Sequence, residues 1–205
     1  MPTTTPLTAP PAGLRERKKA ARRAALTDAA LHLVQRDGLD RATVEAICAE
    51  AGVSPRTFFN YFASKDDAVL GIPGTALDDD AAETFASGGP TGRLMPDVVA
   101  LVHSVLAGPM HDGARHRRIL EVVQREPRLV VRQIAWLEQV RLTVEGLTRR
   151  RLGPAATAER VQLVGVLVLV ITRTAHARRE DSAGGPTHDH ASDVVVELRD
   201  LLGET

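Results

Sequence analysis

Apolar residues recur with a helical period along most of the chain, and no stretch shows the two-residue alternation of a strand. A first helix is predicted from Leu14 to the stop at Gly38, because this segment contains no internal Pro or Gly. Its apolar positions are Leu26, Ala30, Leu33 and Val34. Three short helices are predicted next, beginning at Thr43, at Ser54-Pro55 and at Ser64.

The chain changes character after residue 71, where Gly and Pro residues interrupt the pattern. Six further helices are predicted, over residues 76–86, 95–106, 114–124, 127–151, 157–179 and 193–202. The expected fold is therefore all-α, with three parts. Residues 1–13 are expected to form a disordered tail, 14–71 a helix-turn-helix domain, and 75–205 a second helical domain.

The amino-acid composition argues against a secreted, disulfide-linked or membrane-spanning protein. The 205 residues are 43% hydrophobic and only 3% aromatic, so aliphatic helices must supply the core. The N-terminus lacks a signal peptide pattern and the single cysteine cannot form an internal disulfide, so we expect a cytoplasmic protein. The apolar run 161–171 is too short to cross a bilayer, which favours a buried helix.

Formal net charge is zero, so binding to a polyanion would depend on how charge is distributed along the chain. The start of the first helix is strongly basic, with only Glu16 opposing the cations. Those cations are Arg15, Arg17, Lys18, Lys19, Arg22 and Arg23. Such a block suits a phosphate backbone or a minor groove, and it is otherwise typical of a solvated helix end.

The spacing within residues 43–62 meets the requirements of a helix-turn-helix. Gly52 allows the positive φ of the turn, and Cys48 supplies a small side chain where the two helices approach. Ser54 and Pro55 define the start of the second helix. If that start enters a major groove, it presents Ser54, Pro55, Arg56 and Thr57 to the DNA.

The segment CAEAGVSPRTFFNYFASK resembles the tetracycline-repressor (TetR) family of bacterial one-component regulators, over about the first third of the chain. The resemblance implies a DNA-binding homodimer that reads a palindromic operator. It implies base contacts from Pro55, Arg56 and Asn60, and phosphate contacts from Thr43, Thr57, Tyr61 and Lys65. Phe59 stands where family members often have Tyr, whose hydroxyl reaches a phosphate.

The second domain is expected to bind an apolar or amphipathic effector, because its candidate lining is aliphatic with one large aromatic side chain. The candidate lining residues are Leu101, Val105, Ile119, Val123, Trp136, Leu137 and Val140. A group of arginines is placed to meet a carboxylate or phosphate, or else forms a solvated helix face. These are Arg115, Arg118, Arg125, Arg128 and Arg132. This half loosely resembles regulators that sense fatty acyl thioesters.

Dimerisation is expected through the helix at 157–179 and the last helix. The apolar surface expected to carry it comprises Val161, Val164, Leu167, Val168 and Ile171. A burial of the same run within one chain is the competing interpretation.

Two other function classes remain open. His111-Asp112 is similar to the His-Asp pair of helical metal-dependent phosphohydrolases, although the spacing of the other histidines argues against a metal site. The second alternative is a DNA-binding protein of the same fold without an effector. We expect no enzyme, no cofactor and no metal, because no activated nucleophile, phosphate-binding Gly loop or zinc pattern occurs. Cys48 is expected to be a core residue rather than a redox switch.

Overall fold

The computed structural model describes residues 14–75, 77–106, 113–181, 190–201 and 203. Within these ranges the chain is helical, with no strand. The expected tail at 1–13 and the His111-Asp112 pair lie outside the described residues.

Four helices form the N-terminal part, and each short one begins at the residue that the sequence indicates. They are α1 (Leu14–Asp37), α2 (Val44–Ala51), α3 (Pro55–Phe59) and α4 (Lys65–Leu70). The side chain of Thr43 accepts a hydrogen bond from the backbone N–H of Ala46, at 3.1 Å. Ser64 caps α4 in the same way, accepting from the N–H of Asp67 at 3.1 Å. These caps satisfy N–H groups that have no partner inside their helices.

Six helices lie in the described ranges of the second part. They are α5 (Asp79–Ala86), α6 (Leu94–Leu106), α7 (Gly113–Arg125), α8 (Pro127–Leu152), α9 (Ala158–Asp181) and α10 (His190–Leu201). A short 3-10 helix, Gly153–Ala155, separates α8 from α9. The predicted helices are thus present, with ends shifted by one to three residues where the chain is described.

Buried apolar side chains form two clusters. The first lies among α1–α4 and includes Phe58 and Phe62, which are almost fully buried. It also contains Ile119 and Val122 of α7 and Leu129 of α8. The first cluster is therefore completed by side chains from the C-terminal part of the chain.

The second cluster lies among α5, α6, α8, α9 and α10. The α9 residues Val161, Val164, Val168 and Ile171 are all buried in the chain's own interior. Leu167 packs against the same cluster and is half-buried. The prediction that these residues present a surface to a second copy is therefore wrong. No helix in the described ranges is long and apolar enough to cross a membrane.

Arg151, near the end of α8, joins that helix to the connection between α5 and α6. Its guanidinium pairs with Asp97 at 2.5 Å and donates to the carbonyl oxygen of Phe85 at 3.0 Å. Thr91 donates to the same carboxylate through its backbone N–H, at 2.8 Å, and through its hydroxyl, at 2.6 Å. Burial raises the pKa of Asp97, but the hydrogen bonds from Thr91 and Arg151 outweigh it and leave that pKa below its ordinary value.

Candidate nucleic-acid interface

The turn between α2 and α3 places the start of α3 on the surface. Gly52 adopts φ 64°, in the left-handed region that favours glycine, and its N–H bonds back to the end of α2. Ser54 then caps α3, accepting a hydrogen bond from the N–H of Thr57 at 3.2 Å. Phe58 turns into the first cluster and holds the helix against α1 and α2. The other side chains of α3 are exposed or half-buried.

Most of the predicted contact residues lie on that outer surface. Ser54, Pro55, Arg56, Phe59 and Asn60 are exposed, and Phe59 retains 58% of its accessible surface. Thr57 and Tyr61 are half-buried. The ring of Phe59 packs edge-on against that of Phe58, with 5.4 Å between the centroids.

A groove lies between the start of α1 and the end of α3. It has a volume of about 800 Å³ and is lined by Lys18, Lys19, Ala21, Arg22, Asn60 and Tyr61. Three cations of α1 therefore face the same space as Asn60 and Tyr61, which directly follow α3, although about forty positions separate the two groups in the sequence. Three cations with no carboxylate among the lining residues suit a polyanion such as a phosphate backbone.

Lys65 has a role within the chain that the sequence did not suggest. Its ammonium group donates to the carbonyl oxygens of Leu39 and Ala42, at 2.7 and 2.9 Å. These carbonyls belong to the connection between α1 and α2, so Lys65 stabilises that connection. An ammonium group has three N–H donors, which leaves one for a phosphate.

Thr43, another predicted phosphate contact, also has an internal role. Its side chain is exposed, and its oxygen caps α2. The hydroxyl hydrogen remains available to a phosphate oxygen.

Cys48 is buried at the contact between the short helices, with 2% of its surface exposed. Burial raises the pKa of its thiol above the ordinary value, and Glu45 adds to that rise. The thiol is therefore protonated at neutral pH and unreactive, as a core residue would be.

The predicted effector-lining residues divide between the two clusters. Leu101 and Val140 are buried in the second cluster and Val105 packs against it, whereas Ile119 and Val123 belong to the first. Trp136 contacts both clusters. Its indole N–H is buried and meets no acceptor among the described residues. Leu137 is half-buried on the following position of α8.

The arginines of α7 and α8 pair with carboxylates of the N-terminal part. Arg115 and Arg118 contact Asp28 of α1. Further along, Arg128 contacts Asp40, and Arg132 contacts Asp67 of α4. Each of these four arginines therefore has a carboxylate partner within the chain, and the pair of Arg128 and Asp40 is largely exposed to solvent. Arg125 is exposed. No local signal could have revealed these pairs, because each joins positions 65 or more residues apart.

In the described part of the chain, no three His, Cys, Asp or Glu side chains converge as metal ligands would. His188 and Asp189 lie outside that part, as do His111 and Asp112.

Comparison with known proteins agrees with this geometry. Residues 26–70 match the family model for bacterial regulatory proteins of the tetR family. The chain is 34% identical over 134 residues to the HTH-type transcriptional regulator TcmR of Streptomyces glaucescens, in a match covering 62% of this chain and 59% of that relative.

A solved structure shows the same fold. It is described as a putative TetR-family transcriptional regulator from Mesorhizobium loti, and it is 17% identical to this chain. The superposition covers 89% of this chain and 98% of that one, with a TM-score of 0.50. The family model lies on α1–α4, the part that carries the groove and the exposed start of α3. The N-terminal part of the chain, over residues 26–70, is thus similar to the bacterial regulatory proteins of the tetR family.

Proposed function

We propose that this protein is a ligand-responsive transcriptional repressor that binds a palindromic DNA operator as a homodimer. Residues 14–71 would form the DNA-binding domain and 75–205 the domain for effector binding and dimerisation. The observation that carries the proposal is the groove in which Lys18, Lys19 and Arg22 of α1 face Asn60 and Tyr61 at the end of α3. Cations placed beside a surface-exposed recognition helix provide both phosphate attraction and base readout.

The division of roles between α1 and α3 can be tested by comparing substitutions at Arg56 and Arg22, both exposed. Arg56 lies in the first turn of α3, where a side chain reaches base edges. Arg56→Ala should weaken binding to the selected operator by about 5- to 150-fold, and it should relax selectivity at one position of each half-site. Arg22→Ala should weaken all duplexes alike and reduce the salt slope by about one per half-site.

The operator would first be selected from a random duplex library, and affinities would then be measured by fluorescence anisotropy at several salt concentrations. Arg93→Ala is the matched control, because Arg93 is exposed just before α6 and away from the groove. A selected site without two-fold symmetry, or identical losses for the Arg56 and Arg22 variants on every duplex, would contradict the proposal.

The proposed dimer face is the outer surface of α9 and α10. Leu163, Val166 and Val170 follow each other along one side of α9 and are 58%, 47% and 42% exposed. Val196 of the adjacent α10 is 55% exposed. An apolar stripe of this kind on two packed helices favours a four-helix contact around a two-fold axis. Such a contact would hold two DNA-binding domains about one duplex turn, roughly 34 Å, apart.

The proposed effector is apolar or amphipathic and binds beside Trp136, where the two clusters meet. The unsatisfied indole N–H favours a ligand that brings a hydrogen-bond acceptor to this point. The engagement of Arg115 and Arg132 with aspartates removes two cations that would have held the anionic end of a fatty acyl thioester. Since Trp136 is the only tryptophan, an effector should change its fluorescence over the concentration range that releases operator DNA. Release without that change would contradict this location.

A further inference from the structure

Three separate points of the N-terminal part are ion-paired to α7 and α8. Together we name these contacts the ionic junction. It consists of the pairs Arg115–Asp28, Arg118–Asp28, Arg128–Asp40 and Arg132–Asp67. The aspartates lie in α1, in the connection that follows α1, and in α4.

The contact on α1 is directional. Arg115 donates to Asp28 through two parallel bonds, from Nε to Oδ1 at 2.9 Å and from Nη2 to Oδ2 at 2.7 Å. Its side chain is 11% exposed. Arg118 adds a third contact to the same carboxylate, at 3.3 Å. A bidentate pair fixes the relative orientation of two groups as well as their distance.

The contacts from α8 differ in burial. Arg132 Nη2 lies 2.6 Å from Asp67 Oδ1, and the Asp67 side chain is only 4% exposed. Arg128 lies 2.8 Å from Asp40, but this pair is open to solvent on both sides. The exposed pair contributes little. Arg115–Asp28 is the main orienting contact because it is hydrogen-bonded at both oxygens, whereas Asp67 Oδ1 lies close to Arg132 without an aligned hydrogen bond.

Apolar packing and ion pairs have different effects where the N-terminal part contacts α7 and α8. Ile119, Val122 and Leu129 complete the first cluster and hold the N-terminal part against α7 and α8. Dispersion and the hydrophobic effect are non-directional, and such a contact tolerates small rotations. The ion pairs on α1 and α4 restrict those rotations, because they act on two different helices of the same unit.

We propose that the arginines of the ionic junction are positioning residues that fix the orientation of the DNA-binding unit, and thereby set the operator spacing that the dimer accepts. The inference rests on the proposed function. In a dimer, a rotation of each unit about α7–α8 moves its α3 relative to the partner's α3. Adding one base pair between half-sites shifts them by about 3.4 Å and about 35°, so a rigid unit accepts one spacing and a loosened unit accepts several.

The experiment measures affinity for a series of duplexes in which the spacer between two half-sites varies by single base pairs. Each duplex is matched by one that carries a single half-site. The variants are Arg115→Gln and Asp28→Asn, which remove the bidentate ion pair. Arg115→Gln leaves Asp28, which is 41% exposed and can be solvated by water, and Asp28→Asn keeps one acceptor oxygen for the nearly buried Arg115. Arg150→Gln is the control, because Arg150 of α8 forms an exposed pair with Glu83 of α5, outside the ionic junction.

For the wild type, one spacer should be preferred. In Arg115→Gln and Asp28→Asn, the ratio of affinities between the best spacer and its neighbours should fall by about three- to tenfold, with single half-site affinity unchanged. Arg150→Gln should keep the wild-type profile. The exchange variant Arg115→Asp/Asp28→Arg should recover part of the discrimination, since the pair is restored with opposite polarity.

An unchanged spacer profile in folded variants would overturn the inference, as would a parallel loss on every duplex including the single half-site. If Arg115→Gln and Asp28→Asn do not fold, Arg115→Lys decides, because lysine keeps the charge and loses the bidentate geometry. A broadened spacer profile in folded Arg115→Lys supports positioning, and an unaltered profile refutes it. If the proposed function were wrong, the wild type itself would select no inverted repeat, and this result is distinct from an unchanged spacer profile.

Discussion

Helices α8 and α9 pack closely at Gly165 of α9, and this contact allows a stability prediction with an internal control. A Cβ placed on Gly165 would lie 3.1 Å from Cγ of Glu145 and 3.2 Å from Cγ of Arg141. It would also lie 3.3 Å from the backbone oxygen of Arg141. Glu145 is buried and ion-paired to Arg141, so neither side chain can move away freely.

Gly146 of α8 provides the matched comparison, because a Cβ there would meet no atom within 4 Å. Replacing Gly by Ala inside a helix stabilises by about 0.8–1 kcal/mol. Gly146→Ala should show this gain. For Gly165→Ala the same gain is opposed by overpacking, which costs about 1–3 kcal/mol. The net destabilisation at Gly165 is therefore about 0–2 kcal/mol, and the two variants should differ by about 1–3 kcal/mol.

Urea unfolding followed by far-UV circular dichroism measures the free energy of unfolding of both variants. All three proteins should be compared at one protein concentration, because the stability of a dimer depends on concentration. If Gly165→Ala were as stable as Gly146→Ala, α8 and α9 would not approach as closely as described. Equal slopes against urea would show that the comparison reports on the native state.

Three further predictions use other parts of the fold. Val166→Asp should give a folded monomer in sedimentation experiments, whereas Val168→Asp should unfold the chain, because Val168 is fully buried and Val166 is 47% exposed. Since the native pKa of Asp97 is depressed, the stability advantage of the wild type over Asp97→Asn should be complete above about pH 4. It should disappear as the pH falls through the native pKa, in acid unfolding curves. Cys48 should resist alkylation at neutral pH until denaturant unfolds the chain, and rapid labelling of native protein would contradict its burial.

The features that the sequence predicts well depend only on residues close together in the chain. The caps at Thr43, Ser54 and Ser64 each involve a hydrogen bond across three residues, so the pattern alone indicates where α2, α3 and α4 begin. The turn at Gly52 depends only on its own backbone conformation. The helix-turn-helix was therefore recognisable before any tertiary contact was known.

The face of α9 could not be predicted, for a definite reason. Gln162 is the one polar side chain in the run 161–171, so periodicity does not distinguish an inner from an outer surface. The structure buries Val164 and Val168 and exposes Leu163 and Val166, in response to where α6, α8 and α10 lie. Which side of α9 is buried therefore depends on tertiary packing.

Long-range pairing also explains how a chain of zero net charge can present a cationic surface. Asp28 and Asp67 of the N-terminal part face α7 and α8, where arginines neutralise them. The groove between α1 and α3 lies elsewhere on the same unit and contains Lys18, Lys19 and Arg22. The separation matters because phosphate attraction is screened within about 10 Å at ordinary salt, so only local charge acts on DNA. The salt dependence of operator binding should consequently follow the number of cations at the groove rather than the net charge of the chain.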